Sequence, residues 1–365
     1  MTARAALALA LLLAGCSADS SSFGSRETGE LPVATEAPSV SAAPRSDDAG
    51  ASATAEPEPL AWASLDASGP AAREDHTWTV TGDGRSAFLF GGRDGTSVFE
   101  DLWSYDFAAD AWTELSPGGG PGPRFGHEAV WVDGVGLVIF AGQSGATFFN
   151  DLWAYDPATS TWAELPGRGD VPVPRYGTCG AVGPDGRLWI SHGFTSDGVR
   201  FSDTRAYDFE TGAWADETPG GERPIERCLH GCWWTDEGVL ALYAGQTTGT
   251  LALDDFWTLA DGAWSQVTAA PPRGRNLYAR ARVDGATLVF GGQALDMSYL
   301  NDLWLLPDAA SDALKLEPIA EGPSGRSGAA MVVDRESGRV LVFGGRDADR
   351  ALGDLWALTG MVGRE

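Results

Sequence analysis

The 365-residue chain is short of basic residues, of cysteine and of long apolar runs. Lys and Arg total 25 against 51 Asp and Glu, for a formal net charge of −26. That balance excludes nucleic acid as the expected partner, because phosphate binding needs a basic face. No apolar run reaches the ~18 residues of an ordinary transmembrane helix. No strict Gly-Xaa-Yaa period marks a collagen-like chain. Gly-Xaa-Ser-Xaa-Gly, phosphate-loop and His-Glu-Xaa-Xaa-His motifs are absent, so no catalytic residue, metal or cofactor is expected. What the chain has in excess is glycine, with 48, and tryptophan, with 15.

Residues 1–16 read MTARAALALALLLAGC. Arg4 supplies a positive start, and Ala5–Leu13 an apolar core too short to span a bilayer. Leu13-Ala14-Gly15-Cys16 resembles the bacterial lipobox. The resemblance implies cleavage before Cys16, lipidation of that thiol, and export to the cell envelope. Ser17 rather than Asp implies the outer membrane. The membrane is then met through the lipid alone. Residues 17–60 are rich in Ser, Ala, Pro, Thr and Glu. They hold too little apolar surface to offset the entropy of ordering, and read as a disordered tether.

From residue 61 the chain repeats itself. An apolar run ending in glycine recurs as FLFGG (88–92), VIFAG (138–142), WISHG (189–193), LYAG (242–245), LVFGG (288–292) and LVFGG (341–345). The second Gly is present in every copy. A second phrase follows, from EDLWSYD (100–106) to GDLWAL (353–358), and a Trp closes the unit at 112, 162, 214 and 264. Arg73, Arg124, Arg175, Arg227, Arg275 and Arg326 open the units, at spacings of 51, 51, 52, 48 and 51. Four short β-rich runs per unit, separated by Gly, Asp, Asn and Pro turns, read as four strands. Six such units describe an all-β, six-bladed propeller.

These motifs resemble the kelch repeat, over residues 61–359. The third unit departs most, with His192 for Gly and Thr204-Arg205 for Leu-Trp. The last unit lacks its closing Trp strand, and AWASL (61–65) matches AWTEL (111–115). The N-terminal strand is therefore expected to complete the sixth blade and cover its open edge. Residues 360–365 read as a tail.

Up-and-down strands put the opening Arg, the Gly-Gly and the Asp of the DLW phrase on one face. Six ring aspartates, Asp101, Asp151, Asp203, Asp255, Asp302 and Asp354, oppose Arg73, Arg124, Arg175, Arg227 and Arg326 there as a structural ring, since the guanidinium fork suits carboxylates. Arg93, Gln143, Gln246, Gln293 and Arg346 follow the Gly-Gly and are candidate ligand contacts. Blade 5 is locally basic, with Arg273, Arg275, Arg280 and Arg282 in ten residues, and strand alternation puts Arg280 and Arg282 on one side. These arginines are expected to satisfy neighbouring Asp or Glu; the alternative is an anion site near the channel.

Of four histidines, His76, His127 and His230 stand three residues after the opening Arg and read as structural. His192 breaks the glycine pattern and joins the candidate ligand set. The exported compartment permits a disulfide, Cys179 with Cys228 or Cys232. Cys228 and Cys232 lie about 13 Å apart along a straight strand, too far to bridge. A Cys228–His230–Cys232 metal set lacks the usual second ligand pair. The reading is a monomeric binding module for a protein, peptide or glycan at the Arg/Gly-Gly face. The alternative, from resemblance alone, is a carbohydrate-active enzyme of the galactose-oxidase-like or sialate-processing type.

Overall fold

The computed structural model describes residues 59–361 apart from 67, 251, 309 and 310. The expected signal, Cys16 and nearly all of the expected tether lie outside the described residues, as do 362–365. No helix occurs among the described residues, and none is long and apolar enough to cross a membrane.

Each unit folds into a four-stranded antiparallel sheet, and six sheets form the blades of a propeller. In blade 1 the strands are Thr77–Val80, Ser86–Phe90, Leu102–Asp106 and Ala111–Leu115, innermost to outermost. The second strand of each blade is the most buried, because both of its faces meet other blades. Leu137, Ile139, Leu288 and Leu341 are fully buried there. Blade 3 gains a fifth strand, Arg168–Gly169, parallel to Ala213–Asp216.

The ring closes as the matching phrases predict. Ala61–Leu65 pairs antiparallel with Leu355–Thr359 as the fourth strand of blade 6. The inner strand Ala330–Asp334 lies beside those of both blade 5 and blade 1. Closing tryptophans carry the packing from blade to blade. Trp112 lies 5.3 Å from Phe343, Trp162 5.5 Å from Phe90, and Trp214 5.0 Å from Phe140. Trp62 takes the equivalent place in blade 6, 5.5 Å from Phe290. Burial of ~150–250 Å² per Trp makes this the repeated apolar contact between blades. Because Ala61 pairs with Thr359, the chain enters and leaves the propeller on the face opposite the ring arginines.

Candidate functional site

On the Arg/Gly-Gly face the six opening arginines are almost wholly inaccessible to water. Each grips its aspartate with two nitrogens, as Arg73 does Asp101 at 2.6 and 2.7 Å, and Arg227 does Asp255 at 2.6 Å twice. Each also donates to the carbonyl of the first residue of its Gly-Gly pair, and through Nε to a carbonyl two residues back. Burial works to raise the carboxyl pKa values. The hydrogen bonds and charge of the arginines outweigh it, so Asp101, Asp203, Asp255, Asp302 and Asp354 fall below the ordinary range. The Trp of the DLW phrase adds an indole N–H to the same carboxylate, at 2.7 Å in blade 1. In blade 3 Arg205 stands in for it and donates to Asp203 at 3.1 Å.

The glycine grammar follows from backbone geometry. The first residue of the pair is left-handed, with φ 61–67° from Gly91 to Gly344, so Ala141, Ala244 and His192 are tolerated there. The second has φ 93–121° in every blade, a region open only to glycine. A Cβ on Gly92 would lie 2.8 Å from the Glu74 carbonyl. A further ring closes the axis. Asp75, Gly126, Gly177, Leu229, Leu277 and Gly328 all have left-handed φ of 50–65°. Each donates its N–H to the carbonyl of the previous member, and Asp75 donates to Gly328, at 2.7–3.2 Å. This annulus of six backbone hydrogen bonds narrows the channel on the Arg/Gly-Gly face.

Below the annulus a cavity of about 520 Å³ runs toward the other face, lined by Thr77, Thr79, Ala129, Arg282 and Arg335 among others. Glu128 of blade 2 and Arg280 of blade 5 meet across it at 3.0 Å. Arg280 also donates to the Cys232 carbonyl at 3.3 Å. Burial pushes the Glu128 carboxyl up, against the pull of Arg280 and of a hydrogen bond from the Gly180 backbone. Gly180 and Gly231 make room for this strut, since a Cβ at either would lie 2.7 Å from Glu128 Cγ or 2.9 Å from Arg280 Cδ.

The basic stretch of blade 5 is therefore no single anion site. Its arginines are strung through the thickness of the disc, each with its own carboxylate. Arg273 lies on the surface 3.6 Å from Asp296, and Arg282 is held by Asp308 and Asp236 at the far end. Arg275, expected as a ligand contact, is fully buried on Asp302 and belongs to the ring. Strand alternation placed Arg280 and Arg282 on one side but carried no information on what faced them.

The sequence that builds this geometry matches a known family. A model of the KLHDC2/KLHL20/DRC7 Kelch-repeats domain matches residues 53–245 and 216–360. The chain belongs to the kelch-repeat family. It is 26% identical over 215 residues to an F-box/kelch-repeat protein of Arabidopsis thaliana, covering 52% of this chain and 44% of that protein. It is 30% identical over 136 residues to a tRNA wybutosine-synthesizing protein 4 of Emericella nidulans, covering 34% of this chain and 12% of that protein. The chain thus spans less than half the length of either relative.

Above the annulus one blade differs from the other five in charge. The two residues after the ring Arg are Phe-Gly, Tyr-Gly, Cys-Leu, Asn-Leu and Ser-Gly in blades 2 to 6, but Glu74-Asp75 in blade 1. Both acids are buried. Arg93 reaches Asp75 at 2.8 Å and Glu74 at 3.5 Å, and Arg346 reaches Glu74 at 3.0 Å. Arg93 also stacks on Phe125 at 4.2 Å. Tyr176 lies against Gly126 of the annulus, and burial followed by the Asp75 charge pushes its hydroxyl pKa up. Glu74, Asp75 and Tyr176 were not singled out in the sequence. The signal that finds Glu74 and Asp75 is acidity at two positions that are uncharged in the other five blades. Of the other expected contacts, Gln246 bonds Cys228 Sγ at 3.7 Å and accepts from Asn276 at 3.2 Å. Gln143 folds back onto the Gly145 carbonyl, and Gln293 is half-buried and backbone-paired with Asn276.

All four histidines are buried. Desolvation holds His127 and His192 at a pKa of about 3, and His76 and His230 well below the ordinary value, so all are neutral. His192 sits between Ser191 Oγ at 2.6 Å and the Pro224 carbonyl, away from any ligand surface. Cys179 and Cys232 form a disulfide between the inner strands of blades 3 and 4, and Cys228 is a buried free thiol. Among the described residues no three His, Cys, Asp or Glu side chains gather to hold a metal.

Proposed function

We propose that this kelch propeller captures a protein or peptide on its Arg/Gly-Gly face. The observation that carries this reading is the placement of exposed apolar side chains. Val173, Val199, Ile225, Leu295 and Met297 are 49–61% exposed, and all stand on loops of that face in blades 3 to 5. The other large exposed apolar residues are Leu314 on the outermost strand of blade 5, Ile319 bonded to the Leu60 carbonyl beside the outer strand of blade 6, and Val171 just after the added strand of blade 3. Among the described residues none stands in the turns of the opposite face. Apolar groups gathered on one face, beside a half-buried polar cluster on blades 6 and 1, fit an interface with an apolar and a charged part.

A photo-crosslinking side chain at Leu295 or Val199 is expected to trap a partner. The same group at Asp284, in a turn of the other face, is expected to trap none. A Val199→Asp/Leu295→Asp variant that stays folded is expected to lose capture at least tenfold. Equal crosslinking from both faces would refute the assignment. We further propose that Cys16 carries a lipid anchor in the cell envelope. This fits a propeller whose chain enters from the face opposite the interaction surface. Labelling with a fatty-acid analogue, lost in Cys16→Ser, tests it.

A further inference from the structure

Blade 1 places two consecutive acids at the axis, where the other five blades place none. Nothing in the propeller fold calls for them. Glu74 is 1% exposed, and the Asp75 side chain has no exposure. Glu74 Oε2 and Asp75 Oδ1 are buried without a hydrogen-bond partner. Their counter-ions, Arg93 and Arg346, come from the loops after the Gly-Gly of blades 1 and 6 and are about one-third exposed. The cluster is a neutral set of two acids under two arginines, and only the arginines reach water.

We propose that Glu74, Asp75, Arg93 and Arg346 form a proton-gated anion subsite, in which the acids hold the arginines closed until one acid is protonated. The freed guanidinium fork then takes a carboxylate of the bound peptide. The inference rests on the Arg/Gly-Gly face being the interaction surface. One proton enters for each anion bound, so charge is unchanged when the partner's carboxylate replaces the acid at the guanidinium. Burial, then the Asp75 charge, raises the Glu74 pKa against the pull of Arg93 and Arg346. Burial raises that of Asp75 in the same way. The other titratable groups facing the pair are the Tyr176 hydroxyl and, through it, the Cys228 thiol, both pushed up by burial and neutral.

The test is titration calorimetry of the full propeller with sulfate, which stays doubly charged from pH 5 to 8. Affinity is expected to rise at least tenfold from pH 8 to pH 5, with uptake of about one proton read from buffers of different ionisation heat. Glu74→Gln keeps the shape and removes the charge. It is expected to bind at pH 8 as the native chain does at pH 5, with no further gain on acidification. Arg346→Met is expected to abolish binding, and Asp75→Asn, which retains left-handed φ, to behave like Glu74→Gln. Thermal melts confirm that each variant is folded. Equal native affinity at both pH values, an undiminished pH response in Glu74→Gln, or binding that survives Arg346→Met would each overturn the proposal. Partner crosslinking at Leu295 does not depend on these charges. Its survival beside a failed sulfate titration would reject the gate and leave the binding face standing.

Discussion

On one face of the disc six arginines lie buried against six aspartates. On the other, the exposed Asp106 and the half-buried Asp156 and Asp208 accept N–H groups from their own turns. Carboxylates on both faces answer to backbone geometry, but the stakes differ. A ring arginine, itself shut off from water, satisfies two carbonyl groups and a partly buried carboxylate, so its loss leaves several acceptors short of a donor. A turn aspartate competes with water for N–H groups that water could also satisfy. Repetition on either face therefore marks structure. Recognition is read from positions where repetition fails.

The contrast is open to attack at its strongest point first. Arg227→Leu is expected to cost about 3–5 kcal/mol in chemical denaturation, because Asp255 loses its counter-ion, keeping only the Trp257 indole, and the Ala244 carbonyl loses its side-chain donor. A cost under ~1 kcal/mol would mean that the ring is dispensable. Acid separates the two faces next. His127 and His192, held near pKa 3, lend stability that is full above the unfolded value of ~6.5 and is lost as pH falls toward 3. Their depressed values make the unfolded chain the better proton acceptor throughout that window. Stability should therefore drop between pH 6.5 and 4, and His127→Gln should remove about one proton from the slope. The raised values of Glu74 and Asp75 act with the opposite sign, since protonation relieves them. The smallest effect is expected at Asp106→Ala, about 1 kcal/mol or less by the same denaturation measurement.

Much of the fold was legible because the repeat period, the Gly that only a positive φ admits, and the displaced AWASL phrase are all local signals. Blade 3 shows where local reading stops. Arg205 looked like decay of the Leu-Trp phrase, yet it supplies the same hydrogen bond to Asp203 that the indole supplies elsewhere. His192 looked like a special residue, yet it fills a left-handed site that Ala141 and Ala244 also occupy. Arg205 meets Asp203 two residues back on its own strand, and His192 meets its neighbour Ser191 and the Pro224 carbonyl of a loop, so it is the side-chain geometry, not the motif letters, that assigned each role.

By itself the sequence determined the six blades, their order, the strand that closes them and the face to which arginine and aspartate are brought. These follow from periodicity and from residues a few positions apart. Only the tertiary structure decided which side chains meet at the axis. Glu128 and Arg280 are 152 residues apart, Glu74 and Arg346 272, and Cys179 and Cys232 one blade apart. Their contacts depend on the curvature of the closed ring. The physical reason is that a repeat specifies each blade through its own hydrogen bonds. The axis, by contrast, is where six blades share one small volume, and a single buried charge there must find its counter-ion across the ring.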